Sequence, residues 1–267
     1  MQALVSLDPS SGVTRRVDLN SAPRPFEERE RVLALHQRQV ESHLRRFCRD
    51  TSHRDCGGLV QSDSRHADTR NSIYDGFELL AAYLLPGGGR YYKDASLLAD
   101  LRLHMQFIRR RQRDDGTIDM GINGVGLSPE IGFTLPGACA IWKVASESSV
   151  DGSDEIASTL EQYVRRGAQA LRKYFPLTSN HRWTAHAGPL AVVERYFPHP
   201  DNAAVIEDML ADGIDIDDVG LYVHERSPNY DNVANWGLLY LADFWGRSDL
   251  VDRVAKNLNF TLAMIQP

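Results

Sequence analysis

One pattern repeats along the sequence from residue 26 onward: an amphipathic segment with helical periodicity, a short break, and a second such segment. In 26–47, for example, Val32, Leu35, Val40 and Leu44 recur at helix-like spacings with charged residues between them. Similar segments follow at 71–85, 93–112, 130–145, 153–175, 184–197, 201–214, 231–246 and 248–265. Strand-like alternation of convincing length is absent between them. The sequence therefore predicts an all-α fold.

The segments also come in pairs, and one helical hairpin cannot cover its own apolar stripe. Neighbouring hairpins must then stack and bury a shared seam. The loops between hairpins are long and unequal, and strict repeat periods are absent. These features favour an (α/α) toroid over an open solenoid, with the loops gathered around a cleft at one end. We expect an N-terminal extension over 1–25 and a toroid domain over 26–267.

Composition excludes several classes of partner and cofactor. A net charge of −6 argues against nucleic acid and anionic membranes, whose binding requires clustered positive charge. The basic run from Arg109 to Arg111 has Asp114 and Asp115 nearby and is typical of a solvated helix face. Apolar windows are too short for a membrane span. Three cysteines without a complete set of metal ligands indicate neither a disulfide framework nor a metal site, and we expect no cofactor.

The N-terminus bears on localisation. It lacks a basic region followed by an apolar stretch, so it does not look like a secretory signal. We expect a cytoplasmic protein, or a secreted or periplasmic one if a leader has been removed before residue 1.

The connection 113–133 is richer in polar side chains than a linker needs to be. It contains Asp-Gly and Asn-Gly turns and then a helix start. One interpretation is an irregular crossover with good capping residues. The other is a cleft wall in which Asp119, Asn123 and Glu130 hydrogen-bond to sugar hydroxyls.

A second polar connection, 177–190, brings an amide, an imidazole and an indole to the start of a helix. Its polar and aromatic members are Asn180, His181, Arg182, Trp183 and His186. The two histidines are five residues apart and point about 140° away from each other on a helix, so they are poor joint metal ligands. The positive end of the helix dipole favours an anion, and a carboxylate-bearing ligand would suit this place.

The third polar segment, 220–230, ends at the next helix and contains an E-x-S-x-x-Y pattern formed by Glu225, Ser227 and Tyr230. Pro228 fixes the backbone, so Tyr230 occupies a defined turn. A tyrosine can act as base and acid in turn if a nearby cation such as Arg226 lowers its pKa. The alternative for Tyr230 is a packed tyrosine with a satisfied hydroxyl.

Two of these segments, "SNHRWTAHAG" (179–188) and "GLYVHERSPNYDNV" (220–233), resemble the heparinase II/III-like polysaccharide lyases, which include alginate and heparin lyases. The first is similar to the family's Asn-His segment that opens a helix. The second is similar to its Glu-x-Ser-x-x-Tyr segment. The closing run 241–267 looks like the last helices of the family's toroid, and the likeness covers most of the chain from about residue 70.

The resemblance implies β-elimination in an acidic polysaccharide or oligosaccharide that contains uronic acid. Asn180 and His181 would hold and neutralise the substrate carboxylate, since preorganised donors stabilise the charge that develops there. Tyr230 would protonate the leaving oxygen and could also remove the C5 proton. Trp183 and Trp236 would be sugar-stacking surfaces, although the helical pattern around Trp236 is more typical of the core. The expected substrate contacts are Arg226, Glu225, Trp183, His224, Asn123, Glu130 and Arg182.

The sequence departs from the family in one respect. Such lyases continue into a β-sandwich that supplies a further catalytic histidine, and the sequence has no strand-rich segment before residue 267. We therefore expect an incomplete toroid without its β-sandwich partner domain, either a fragment or the product of a reading frame that ends early. As part of a longer chain, we expect the toroid domain to act as a carbon–oxygen lyase. A polyanionic substrate would also need a locally basic cleft, for which the candidates are Arg65, Arg70, Arg182 and Arg226.

Two other functions remain open at this point. A toroidal glycoside hydrolase acting on unsaturated uronides would need two carboxylates that flank the bond. The available residues are Asp119, Glu130, Glu225 and Asp231. The other candidate is a non-catalytic helical scaffold with a groove for carbohydrate or peptide.

Overall fold

A computed structural model describes residues 5–7, 14–16, 25–120, 124–173, 176, 178–225 and 227–264. The helices in chain order are α1 (Pro25–Arg46), α2 (Thr69–Leu84), α3 (Ala95–Arg111), α4 (Ser128–Ser146), α5 (Ser153–Leu171), α6 (Ser179–Arg182), α7 (Gly188–Tyr196), α8 (Pro200–Ala211), α9 (Pro228–Phe244) and α10 (Leu250–Met264). A 3₁₀ turn at Pro86–Tyr91 follows α2, and a π-helical turn at Trp183–Ala187 joins α6 to α7. The strands form two short antiparallel hairpins, β1 (Val5–Leu7) with β2 (Thr14–Arg16) and β3 (Ile118–Met120) with β4 (Gly124–Leu127). The all-α prediction is confirmed.

Each predicted helical segment corresponds to a helix, because the signals that start and stop these helices are local in sequence. Asp68 caps α2 by accepting the backbone N–H of Asn71 at 2.9 Å, and Asp94 caps α3 through the N–H of Leu97 at 2.8 Å. The helix predicted to start at residue 184 instead begins at Ser179 and runs through the π-helical turn. The start of the site segment is therefore itself helical.

Consecutive helices pack in pairs, and the pairs contact one another in sequence order. α2 contacts α3, α4 contacts α5 and α9 contacts α10, while α2 also contacts α4, α4 contacts α7 and α7 contacts α9. One apolar core runs through all of these contacts, and it includes the fully buried Leu101, Leu135 and Leu190. Each such side chain contributes about 1.5–3 kcal/mol by leaving water. Closure of this array into a toroid and a domain boundary near residue 25 remain predictions. No helix in the described part of the chain is long and apolar enough to cross a membrane.

The π-helical turn packs closely between α4 and α9, and a glycine lies at each of the two contacts. A Cβ built on Gly132 would lie 1.7 Å from the carbonyl oxygen of Ala185, and one built on Gly237 would lie 2.1 Å from the carbonyl carbon of Trp183. The backbones of three elements are therefore nearly in contact, and only glycine fits at either crossing. This packing fixes α6 against α9, which carry two of the polar segments singled out above.

We expect Gly237→Ala to lower the free energy of unfolding by about 1–3 kcal/mol, since the added methyl group must push two backbones apart. At a helical glycine in open space the same change would stabilise the protein by about 0.4–1 kcal/mol. Urea denaturation decides between the two signs. Asn232→Ala, exposed on the same helix, is the control and should change stability by less than about 0.5 kcal/mol. A gain in stability for Gly237→Ala would show that the crossing is not tight.

Candidate functional site

Two of the polar segments, 45 residues apart in sequence, meet in the structure. The Oε2 atom of Glu225 accepts the backbone N–H of Asn180 at 3.0 Å, and α6 contacts α9. The Asn-His segment and the segment that leads to Tyr230 therefore border one site. The contact between Asn180 and Glu225 joins residues that the sequence had nominated independently.

A buried carboxylate that the sequence had not singled out, Asp215, holds these segments in place. Its Oδ1 accepts the indole N–H of Trp183 at 2.7 Å, its Oδ2 accepts the hydroxyl of Ser179, and His224 Nδ1 lies 3.3 Å from Oδ2. The side chain of Asp215 is only 5% exposed. It therefore connects α6 to the loop before α9. No sequence signal separates Asp215 from the other aspartates between 212 and 218.

The same contacts contradict the predicted roles of Trp183 and Arg182. Trp183 is fully buried, so its ring is not a sugar-stacking surface; the reason is that its indole N–H faces Asp215 in the interior. The guanidinium of Arg182 lies over that ring, 4.9 Å from its centre. It also donates to the carbonyl of Met209 at 2.6 Å and to Asp212 at 2.9 Å. Arg182 is therefore occupied in holding α6 to the end of α8.

Trp236, in contrast to Trp183, is exposed. The helical pattern around it is typical of core residues, yet its side chain is 54% exposed on α9. It is therefore the indole that remains available as a stacking surface on this helix.

Asn180 and His181 differ in what they can offer to a ligand. Asn180 is buried, and its Oδ1 accepts the backbone N–H of His181 at 2.7 Å, which leaves its amide NH₂ as a donor. The ring of His181 is half-buried and meets the ring of Phe133 edge-on, with centroids 6.0 Å apart. Burial lowers the pKa of His181, the charge of Glu225 opposes that shift, and Arg70 reinforces it. The net lowering of this pKa favours the neutral form of the imidazole.

A positive charge lies beside His181, and Glu130 holds it there. Arg70 Nη1 is 3.0 Å from Glu130 Oε2, and the guanidinium lies 5.7 Å from the centre of the Phe133 ring. Glu130 is only 5% exposed; burial raises its pKa, and Arg70 opposes that shift. Glu130 was predicted to hydrogen-bond to sugar directly, but its burial makes it a partner of Arg70 instead. Arg70 keeps a quarter of its side chain exposed and is a cation available to a ligand.

Tyr230 and His224 both have exposed side chains. Tyr230 is on the first turn of α9 and 47% exposed, so it is not a packed core tyrosine. His224 is about half exposed and pairs with Asp215. The predicted contacts at Asn123 and Arg226 lie outside the described residues.

A buried chain of amides fixes the segment before Tyr230 to α9 and α10. The Tyr222 hydroxyl donates to Asn235 Oδ1 at 2.9 Å, and Asn235 Nδ2 donates to Asn257 Oδ1 at 2.8 Å. Asn257 Nδ2 in turn donates to the carbonyl of Gly220 at 2.9 Å and to Asp231 Oδ2 at 3.2 Å. Asp231 is 1% exposed, and burial raises its pKa. Asp231 therefore belongs to the scaffold and is not accessible as a second carboxylate for glycoside hydrolysis.

The described residues thus form an all-α protein with a polar site between α6, α4 and the start of α9. No family model and no curated protein matches the sequence. The chain is similar to the solved structure of a polysaccharide lyase at a TM-score of 0.44 and 12% sequence identity. The alignment covers 87% of this chain and 46% of that one, so this chain spans about half the length of that protein.

We expect Asp215→Asn to lower the free energy of unfolding by about 1–3 kcal/mol, because one oxygen acceptor becomes an NH₂ donor facing buried donors. Asp218→Asn is the control: Asp218 is exposed in the same loop, and its change should stay within about 0.5 kcal/mol. Guanidinium denaturation of both variants measures the difference. Equal effects would mean that Asp215 does not join the two segments.

A second prediction concerns the pKa of His181. Glu225→Gln keeps an oxygen that can accept the Asn180 N–H but removes the negative charge that raises this pKa. The pKa of His181 should therefore fall further below its ordinary value. An NMR titration of the imidazole measures the shift, with Glu161→Gln on the exposed face of α5 as the control. An unchanged or higher pKa would place Glu225 too far from the ring to act on it.

Proposed function

We propose that this chain is the helical part of a polysaccharide lyase of the heparinase II/III-like kind, which binds an acidic polysaccharide or oligosaccharide and cleaves it by β-elimination. The observation that carries the proposal is the hydrogen bond between Glu225 and Asn180. It joins the two segments with lyase-like motifs beside a neutral imidazole and an arginine. A β-sandwich partner domain, which would complete the cleft, is part of the same proposal.

The carboxylate of a uronic acid suits the group formed by Arg70, His181 and Asn180. Arg70 supplies the positive charge, while the neutral His181 and the Asn180 amide supply N–H donors. In the sequence-based expectation, His181 neutralised the carboxylate. Here Arg70 neutralises it, and His181 only donates a hydrogen bond. Removal of the C5 proton places a second negative charge on the carboxylate. Fixed donors in a partly dry site stabilise that charge better than water does.

Tyr230 is the group that transfers protons in this proposal. A base removes the C5 proton, the electron pair forms the C4–C5 double bond, and the C4–O bond to the next sugar breaks. The leaving oxygen then takes a proton from the Tyr230 hydroxyl. Tyr230 in its phenolate form could itself be the base, so that one side chain returns the proton it removed. Its exposure on the first turn of α9 supports access to substrate.

The hydrolase alternative is weaker because its candidate carboxylates are largely buried or already hydrogen-bonded. Among its four candidate carboxylates, Glu130 and Asp231 are buried, and Glu225 accepts a backbone N–H. A hydrolase needs two carboxyl groups that both reach the glycosidic bond. The scaffold alternative requires only binding, so it predicts that Tyr230→Phe changes neither binding nor any turnover.

The test uses the native full-length protein and a panel of uronic-acid polymers, with the ultraviolet absorbance of the unsaturated product as the readout. Tyr230→Phe should lower turnover by about 10²–10⁴-fold, because the proton donor is lost, and should leave oligosaccharide affinity within about threefold. Tyr92→Phe, at the end of the 3₁₀ turn, is the matched control. Unchanged turnover in Tyr230→Phe, or absorbance that falls with time, would contradict the proposal; the latter would indicate hydrolysis of unsaturated uronides.

A further inference from the structure

A cavity of about 450 Å³ lies between the segment after α1 and the C-terminal half of α3. Its lining residues do not belong to the candidate site. The polar and charged side chains that line it are Thr51, His53, Arg54, Gln106, Arg110 and Arg111. Carboxylates are absent from the lining as far as the chain is described. Cationic and hydrogen-bond-donating side chains therefore dominate the wall.

The arginines of this cavity are not neutralised in the way that the sequence suggests. Asp114 lies 3.6 Å from Arg166, and Asp115 accepts hydrogen bonds from Thr117. Within the described ranges neither aspartate forms an ion pair with the run Arg109 to Arg111. The positive charges of this run are therefore not neutralised by the two aspartates that follow it, contrary to the prediction of a solvated helix face.

Fixed contacts hold two of the guanidinium groups at the cavity wall. Arg110 Nη2 donates to the carbonyl of Cys56 at 2.6 Å. Arg111 donates to Asp55, whose carboxylate is fully buried, and lies over the ring of Phe107 at 5.1 Å from its centre. A guanidinium has five N–H donors, so each of these arginines keeps donors for a ligand. Preorganised arginines lose less freedom when they bind an anion.

His53 adds a ring N–H donor. Its Nδ1 accepts the backbone N–H of Asp55 at 3.1 Å, so in the neutral ring the proton lies on Nε2. Arg54 is the third guanidinium, and its Nε lies 3.7 Å from Asp55. The one buried carboxylate thus faces two of three arginines, and the wall carries a net positive charge. The nearby Asp50 is engaged by the backbone N–H and hydroxyl of Ser52.

We propose that this cavity binds a sulfate or phosphate group carried by a sugar-sized molecule. Guanidinium groups match such oxyanions through paired hydrogen bonds. The volume is much larger than a bare anion needs and lies within the range of small-molecule sites, about 300–1,000 Å³. The proposal is independent of the lyase chemistry, since none of its residues acts in that site.

Arg54 and Arg111 also line a second cavity, of about 410 Å³, but Asp63, Asp68 and Asp119 line that one too. The anionic group therefore binds in the first cavity, whose described lining contains no carboxylate. The group could be carried by a sulfated polysaccharide or by a free phosphorylated sugar, which share this chemistry.

The test is isothermal titration of the whole protein with glucose 6-sulfate, glucose 6-phosphate and uncharged glucose at constant ionic strength. At least one ester should bind saturably, and glucose should not bind. Arg110→Gln should weaken ester binding about tenfold, because it removes a charge-assisted hydrogen bond. Arg102→Gln makes the same charge change on α3 but pairs with Glu155 outside the cavity, and it should leave affinity within about twofold.

A second variant tests the same cavity in case Arg110→Gln does not fold. Gln106 is exposed and lines the cavity, and Gln106→Glu adds a carboxylate there, so it should weaken ester binding to a similar extent. Binding of the sulfate ester alone assigns the site to a sulfated polysaccharide, and binding of the phosphate ester alone assigns it to a phosphorylated small molecule. Binding of both supports the shared chemistry. Absence of saturable binding, or equal losses in Arg110→Gln and Arg102→Gln, overturns the proposal.

Discussion

The arrangement of the candidate site depends on one buried carboxylate, that of Asp215. It accepts hydrogen bonds from Trp183 and Ser179 and lies beside His224, so it joins α6 to the loop that precedes α9. A buried charge without partners costs several kcal/mol, so these donors are held in place. The position of Asn180 follows from that constraint, because its neighbour Ser179 is one of the donors.

Close backbone packing of the π-helical turn also holds α6 in place against α9. The π-helical turn lies against α4 at Gly132 and against α9 at Gly237, where no side chain fits. Single-turn π-helices often occur at functional sites, since they change the direction in which side chains point. Here the turn directs Trp183 into the core, and α9 presents Trp236 to solvent.

The charge of the whole chain and the charge of its sites have opposite signs. The net charge is −6, yet Arg70 lies beside His181, and Arg54, Arg110 and Arg111 line one cavity. Screening in physiological salt limits electrostatic reach to about 8 Å, so an approaching anionic group responds to the nearest charges. An acidic protein can therefore bind acidic ligands at such places. The global charge argues only against extended polyanion surfaces of the kind that bind nucleic acid.

The sequence by itself determined the helices, because periodicity and capping residues such as Asp68 and Asp94 act within a few positions. It also indicated the polar segments around His181 and Tyr230, since their composition exceeds what turns require. Only the tertiary structure decided which indole is buried, that Asp215 joins two segments, and that Arg111 pairs with Asp55. The physical reason is that the partner of a side chain comes from an element 30 to 60 positions away. Local spacing carries no information about that partner.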